Sequence, residues 1–289
     1  MGSISQAINE MGLDLYNELN KKAADKNIFF SPMSISTGLV MVLLGARGNT
    51  ATQMQEVTSL FLPCLKPSPS RCDLVGGIHT EFQTLLSQLK NLNKSCVLSL
   101  ANSLFAQKGY NFHQSKSVQM MYKKDRFKIA HIQEINAQIL MIPYAGKSLN
   151  MIILLPNDTT GLEQKLTRWT SLESMRDREV KVYLPRFKLQ DSFKLNLPLQ
   201  EMGMIDVFKE SNADLSGMAP SQKLFLSEVV HKAYVEVNEE GTLAAVATGS
   251  VASNSYISAD LFKADHPFLF FIQHNPTNTI LFLGKLCSP

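Results

Sequence analysis

Four cysteines in 289 residues, Cys64, Cys72, Cys96 and Cys287, are too few and too scattered for a disulfide scaffold, and none has metal-ligand spacing. They read as reduced thiols, with Cys64 and Cys72 in a Pro-rich loop open to redox chemistry; no metal site and no cofactor are expected. The single tryptophan, Trp169, reads as packing. The longest apolar run, Gly38 to Ala46, is far short of the ~20 residues that span a bilayer and reads as a buried helix. A net charge of +3 gives no field strong enough for nucleic acid or an anionic membrane. Residues 1–10 carry neither a basic start nor an apolar block, so a cytoplasmic location is expected. The sequons at Asn93 and Asn157 matter only on a secretory route. No Gly-x-Ser-x-Gly elbow, His-Glu-x-x-His helix or phosphate-cradling loop is present, and the pair Ser227 and His231 fits a strand better than a catalytic site. Catalysis is not expected.

What is present is an unusual stretch of small residues. Leu224 to Val237 reads LFLSEVVHKAYVEV, β-branched and aromatic as a strand requires. His266 to Ile272 and Ile280 to Leu286 are near-continuous apolar runs around a turn at Asn275-Pro276-Thr277-Asn278. Between these strands lie Glu239, Glu240, Gly241, Thr242, Leu243, Ala244, Ala245, Val246, Ala247 and Thr248. Composition alone allows a linker here. As a strand, however, Thr242, Ala244, Val246 and Thr248 would share one face small enough to slip into an existing sheet.

EVVHKAYVEVNEEGTLAAVAT followed by FKADHPFLFFI resembles the hinge, reactive-centre loop and following strands of a serpin, the family of suicide protease inhibitors. Leu283-Gly284-Lys285-Leu286-Cys287-Ser288-Pro289 is similar to the C-terminal signature of its ovalbumin-like intracellular branch, clade B. Asn27 to Ile35, Leu43 to Thr50, Leu98 to Phe105, Val118 to Tyr122, Met151 to Pro156, Val182 to Leu189 and Ala213 to Met218 follow in family order. The resemblance implies an α+β serpin fold: helices packed on mixed β-sheets, with 239–261 as an exposed reactive-centre loop in a single domain over 1–289.

Periodicity supplies the coarse organisation independently. Ile4, Ile8, Met11, Leu15 and Leu19 predict an amphipathic helix to Lys21. Ser31-Pro32 opens a second helix to Leu44, and a third begins near Thr50. Leu62 to Ser70, with Pro63, Pro67 and Pro69, is loop. Glu81 to Leu92 is helical, Cys96 to Ala106 a strand, Ile135 to Pro156 a hairpin around Gly146-Lys147, and Gly161 to Met175 helical. Strands dominate from Val180, apart from a helical patch near Leu197 to Met202. Lys90 and Lys94 at a helix end are too few for a polyanion site.

Between Gln114 and Val118 a serpin would carry a block of about a quarter of its length, including the first and central strands of the main sheet; here two or three residues stand in its place. The junction resembles an exon loss or a truncated gene product, so the central sheet is expected to be truncated. In serpins a protease cleaves the loop and is held as an acyl-enzyme while the hinge inserts between two central strands. The Leu224 strand is one side of that slot, and the other side falls in the missing block. Two outcomes stay open: an exposed edge that invites pairing with other chains, or closure of the Cys96 strand against it. Ser31, Ser34 and His231 resemble the polar cluster where the sheet opens, whose asparagine lies in the missing block; His231 reads equally well as a core histidine satisfied by backbone or water.

Counting from Thr242 as serpins imply puts the reactive bond at Ser255–Tyr256, to within one position. Asn254 or Ser255 before the bond suits a small or polar pocket; Tyr256 suits a chymotrypsin-like or cathepsin-like one. No Arg or Lys lies between Thr242 and Leu261, which argues against a trypsin-like target. The expected partner is a serine protease, chymotrypsin-like or elastase-like, with a cysteine protease as the second class. The chain is expected to be a monomer, with strand-mediated polymerisation as its hazard and non-classical release to the extracellular space as a second destination. The alternative is a non-inhibitory serpin-derived isoform: a protease substrate, a binding protein or a misfolded product.

Overall fold

The structure, a computed structural model, describes residues 3–23, 25–60, 84, 85, 87, 119–156, 175–219, 223–238 and 259–288. The chain divides into two compact units, the first of Met1–Lys22, Ser31–Ala106 and Ser192–Lys232, the second of Ala23–Phe30, Gln107–Asp191 and Ala233–Pro289.

The first unit is helical. In α1 (Ser3–Lys21), Ile4, Ile8, Met11 and Leu15 are buried, as their spacing requires. The second helix, α2 (Pro32–Gly45), starts with Ser31 as N-cap and Pro32 in its first turn, where the missing N–H is no loss. The run Gly38 to Ala46 is not buried all round: Met41 is 57% exposed, and a Cβ added to Gly38 would meet nothing within 4 Å. Helix α3 (Gly48–Thr58) begins two residues before the predicted start, because Gly48 takes a positive φ of 52° and Arg47 caps in extended geometry. Its first two turns are tied to residues 205–214: Gln53 Oε1 accepts from the N–H groups of Ile205 and Asp206 at 2.9 and 2.7 Å, and Thr50 Oγ1 from Asp214 at 3.0 Å. Helix α4 (Asn196–Glu201) matches the patch predicted near Leu197.

The second unit is an eight-stranded sheet of order β1-β10-β9-β4-β3-β2-β5-β8. Its strands are β1 (Ile28–Phe30), β2 (Met120–Ile132), β3 (Ala137–Pro143), β4 (Leu149–Pro156), β5 (Arg176–Pro185), β8 (Asp260–Lys263), β9 (Phe268–His274) and β10 (Thr279–Leu286). Only β5–β8 is a parallel pair. Strands β4, β9 and β10 are buried along their whole length, which explains their continuous apolar runs. The hairpin predicted from Ile135 to Pro156 is β3–β4, turned through positive φ at Gly146 and Lys147. The long strand β2 escaped the sequence reading because Lys123 and Asp125 interrupt the apolar alternation of Met121, Phe127 and Ile129.

A further pair, β6 (Phe187–Lys194) with β7 (Val230–Val237), contributes residues to each unit. The predicted strand from Leu224 is shorter than expected. Its first six residues lie outside the strand and are bonded elsewhere: Leu226 N–H donates to Val207 O, and Asn196 bridges Ser227 O and Val229 N–H, each at 2.8 Å. The expectations for Leu62 to Ser70, Cys96 to Ala106, Gly161 to Met175, Trp169, Asn93, Asn157, Cys64, Cys72, Cys96, Lys90 and Lys94 fall wholly or largely outside the described residues.

Gly284 marks the tightest packing in the sheet. A Cβ there would lie 2.6 Å from Phe270 Cζ and 3.0 Å from Phe29 Cδ2, and Phe29 is itself stacked on Phe270 and Phe282 with centroids 5.9 and 5.4 Å apart. At Gly45 the obstructing group is instead the flexible, 51% exposed Met218. Gly284→Ala is therefore expected to lower unfolding stability by about 1–3 kcal/mol. Gly45→Ala, where Met218 swings away and helix propensity improves, is expected to change it by less than ~1 kcal/mol. Urea midpoints of the two variants check the contrast.

Candidate functional site

The site grows from the edge of a short strand. β1 pairs with β10 on one side, Ile28 with Lys285 and Phe30 with Leu283, and edge N–H groups elsewhere need acceptors. Side chains supply two of them. In the second unit the Phe29 N–H donates to the Asp191 carboxylate on β6. In the first unit the Ser31 N–H donates to His231 Nε2 on β7 at 3.0 Å.

The three residues predicted to cluster are brought together. Ser31 Oγ accepts from the Ser34 N–H at 3.1 Å, capping α2, while Ser31's own N–H holds the histidine ring. Ser31, Ser34 and His231 are 1%, 7% and 6% exposed. Of the two readings of His231, a histidine satisfied by backbone is what the geometry displays, and its donor is the cap residue of the predicted cluster. A backbone N–H can only donate, so Nε2 must carry a lone pair and the neutral ring keeps its proton on Nδ1. Burial drives the His231 pKa down from 6.5 to about 4.

Asp191 was missed by sequence reasoning, although the alternation Phe187, Leu189, Asp191, Phe193 in β6 puts an acidic residue on the apolar face. Its Oδ2 is buried with no partner among the described residues. Desolvation raises its pKa to about 6, the bond from Phe29 offsetting only part of the shift.

Among the described residues β7 has one ladder partner, β6. Its odd-numbered residues His231, Ala233 and Val237 are buried, and the even ones Lys232, Tyr234 and Glu236 are exposed. Outside, Glu236 takes a 2.7 Å bond from Tyr234 and an ion pair with Lys188 at 3.0 Å. The hinge Glu239 to Thr248 and the bond Ser255–Tyr256 lie outside the described residues, which resume in time for β8 at Asp260. Among the described residues no group of three or more His, Cys, Asp or Glu could hold a metal.

The two buried groups set opposite pH responses. The depressed His231 pKa gives stability that is present above pH 6.5 and lost as pH falls toward about 4. The raised Asp191 pKa gives stability that is present below 3.8 and lost as pH rises through about 6. His231→Gln, which keeps an acceptor without a titration, is expected to flatten the pH 7 to 4 stability loss by about 3 kcal/mol. Asp191→Asn should raise stability at pH 7.5 by about 1–2 kcal/mol, the full shift being discounted for partial exposure. Urea unfolding across that pH range tests both, and a His231→Gln profile parallel to wild type would refute the first.

Comparison with known proteins places this geometry. The model of the family described as serpin (serine protease inhibitor) matches in two parts, residues 6–115 and 113–289. Human Serpin B11 is 36% identical over 393 aligned positions, covering all of both chains, so the 289 residues here leave at least 104 positions unfilled. Mouse leukocyte elastase inhibitor A is 34% identical over 391 positions, again across both chains. The crystal structure of uncleaved ovalbumin matches with a TM-score of 0.74 and 29% identity over the full length of both. Serpins inhibit proteases and are not enzymes. With a two-part match over nearly its whole length, this chain belongs to the serpin family, in the clade B, ovalbumin-like branch.

Proposed function

We propose that the chain offers residues 241–256 as a pseudo-substrate to a serine protease with a chymotrypsin-like or elastase-like pocket, cleaved at Ser255–Tyr256. The loop sequence carries this reading: it joins β7 to β8, has no basic residue between Thr242 and Leu261, and keeps Thr242, Ala244, Val246 and Thr248 small on one face. Relatives named leukocyte elastase inhibitor, at 34% identity, support a small P1 pocket in the target. Ser31, Ser34 and His231 act as the polar point where the sheet opens, and Gly241 acts as the pivot. The protein works as a monomer in the cytosol, with a cysteine protease as the second target class.

One observation favours a second reading. β7 has a single ladder partner among the described residues, and at least 104 family positions are unfilled. A strand of about twelve residues inserted between two neighbours gains roughly a dozen ladder bonds at ~1 kcal/mol net each, and with one neighbour about half of that. On this reading the loop is cut but the enzyme is released, and the chain is a substrate.

Incubation with chymotrypsin-like and elastase-like proteases, followed by denaturing gels and mass analysis, separates the two. Trapping gives a covalent complex that survives denaturation; substrate behaviour gives only cut chain, with a released peptide that fixes the bond. Thr242→Arg is expected to abolish any complex while leaving cleavage within about twofold, because a guanidinium cannot be buried with the hinge. No cleavage between residues 253 and 257 by any such enzyme would refute the pseudo-substrate reading.

A further inference from the structure

The corner where the chain passes from β8 into β9 holds a histidine between two acceptors. The β4–β9 ladder pairs Leu149 with His274 through Leu154 with Leu269 and stops there. Two residues further, the same register would set Pro156 opposite Pro267, which has no N–H to donate. The His266 ring takes the place of that donor, its Nε2 lying 2.6 Å from Pro156 O. A carbonyl oxygen only accepts, so this contact puts a proton on Nε2.

Nδ1 of the same ring lies 3.0 Å from Asp265 Oδ1. Lys263, then His266, hold the Asp265 carboxyl below its ordinary range, and Lys263 Nζ stands 2.9 Å from Oδ2. Asp265 is therefore an anion that only accepts. With a single ring proton, already committed to Pro156, the Nδ1 lone pair faces a carboxylate oxygen and the contact is repulsive. With two protons the ring bridges both acceptors, and the row Pro156 O, His266, Asp265, Lys263 is satisfied from end to end. Among the described residues no other ion pair reaches the ring, and Lys263 is flanked in turn by Tyr183 of β5.

The row joins the end of β4, inside the sheet, to the end of β8, its outer strand. β8 has little else to hold it: four residues, one neighbouring strand among the described residues, and a bond from Ala264 N–H to Tyr183 O at 2.9 Å. The histidine side chain is 36% exposed, so water can deliver and remove its proton.

We propose that His266 is a proton-operated fastener: the doubly protonated ring ties the β8–β9 corner to the last carbonyl of β4, and loss of the Nδ1 proton lets β8 fray from the sheet edge. Histidine is the side chain suited to such a device, because its charge changes near neutral pH. Proton uptake strengthens the corner, so the tie is fullest in mild acid and weakens as pH rises. The fastener stands independently of the pseudo-substrate reading; joined to it, the strand that follows the loop sequence is held more firmly in acid.

Hydrogen exchange of the full chain at about pH 6 and about pH 8, corrected for intrinsic rates, tests this on the amides of residues 260–264. Opening of β8 is expected to increase about threefold to tenfold at the higher pH, a range set by one charge-assisted bond at a partly exposed site. His266→Gln keeps a donor for Pro156 without a titration, and Asp265→Asn removes the carboxylate; each is expected to hold the difference below about twofold. Amides of β3 (Ala137–Pro143) are the reference, since Asp191 titrates in the same unit at about 6. Imidazole nitrogen NMR of the unaltered chain gives a readout that needs no variant: Nε2 protonated at both pH values, Nδ1 gaining its proton toward the lower one. An equal pH response of β8 in wild type and His266→Gln, or a neutral ring protonated on Nδ1, overturns the proposal, and neither result touches the loop reading, which is judged by cleavage.

Discussion

The arrangement depends on how the segment from Phe29 to Ser34 satisfies its backbone N–H groups. This stretch is the edge of a sheet and the start of a helix at once, so it has more donors than ladder acceptors. Side chains close the deficit: the Asp191 carboxylate takes Phe29, His231 takes Ser31, and Ser31 takes Ser34. Both long-range acceptors are hydrogen-bonded as their titration requires, the histidine neutral and the carboxylate partly uncompensated. The cap of the apolar helix α2 and the strand β7 are thereby linked through the His231 imidazole in the first unit.

Much of this was legible in the sequence, for identifiable reasons. α1 and α2 carried helical spacing and a Ser-Pro start; β9, β10, β3 and β4 were continuous apolar runs with turn residues between them. The cluster of Ser31, Ser34 and His231 was legible only through family resemblance, since nothing local indicates that residues 200 positions apart meet. Three features were hidden. β2 was masked by charges on a strand that presents one face to solvent. The Leu224 segment had strand composition but found its bonds with Val207 and Asn196 instead of a ladder. The exposure of Met41 on a helix with so apolar a sequence could not be read from composition, because composition does not say which side of a helix faces out.

The chain aligns end to end with human Serpin B11 over 393 positions while itself having 289 residues. In the sheet of the second unit the eight described strands are joined edge to edge, and the aromatic core of Phe29, Phe268, Phe270 and Phe282 is buried.

The strand order of that scaffold has a consequence for how the molecule is made. Strands β9 and β10 are translated after the reactive loop, yet they lie between β1 and β4, whose residues emerge far earlier. Until they leave the ribosome, β1 has no ladder to join, β4 has only β3 on one side, and Phe29 has neither Phe270 nor Phe282 to stack on. The nascent chain must hold β1 unpaired and one edge of β4 open through most of synthesis, so the aromatic core of this sheet closes only when the β9–β10 pair is complete.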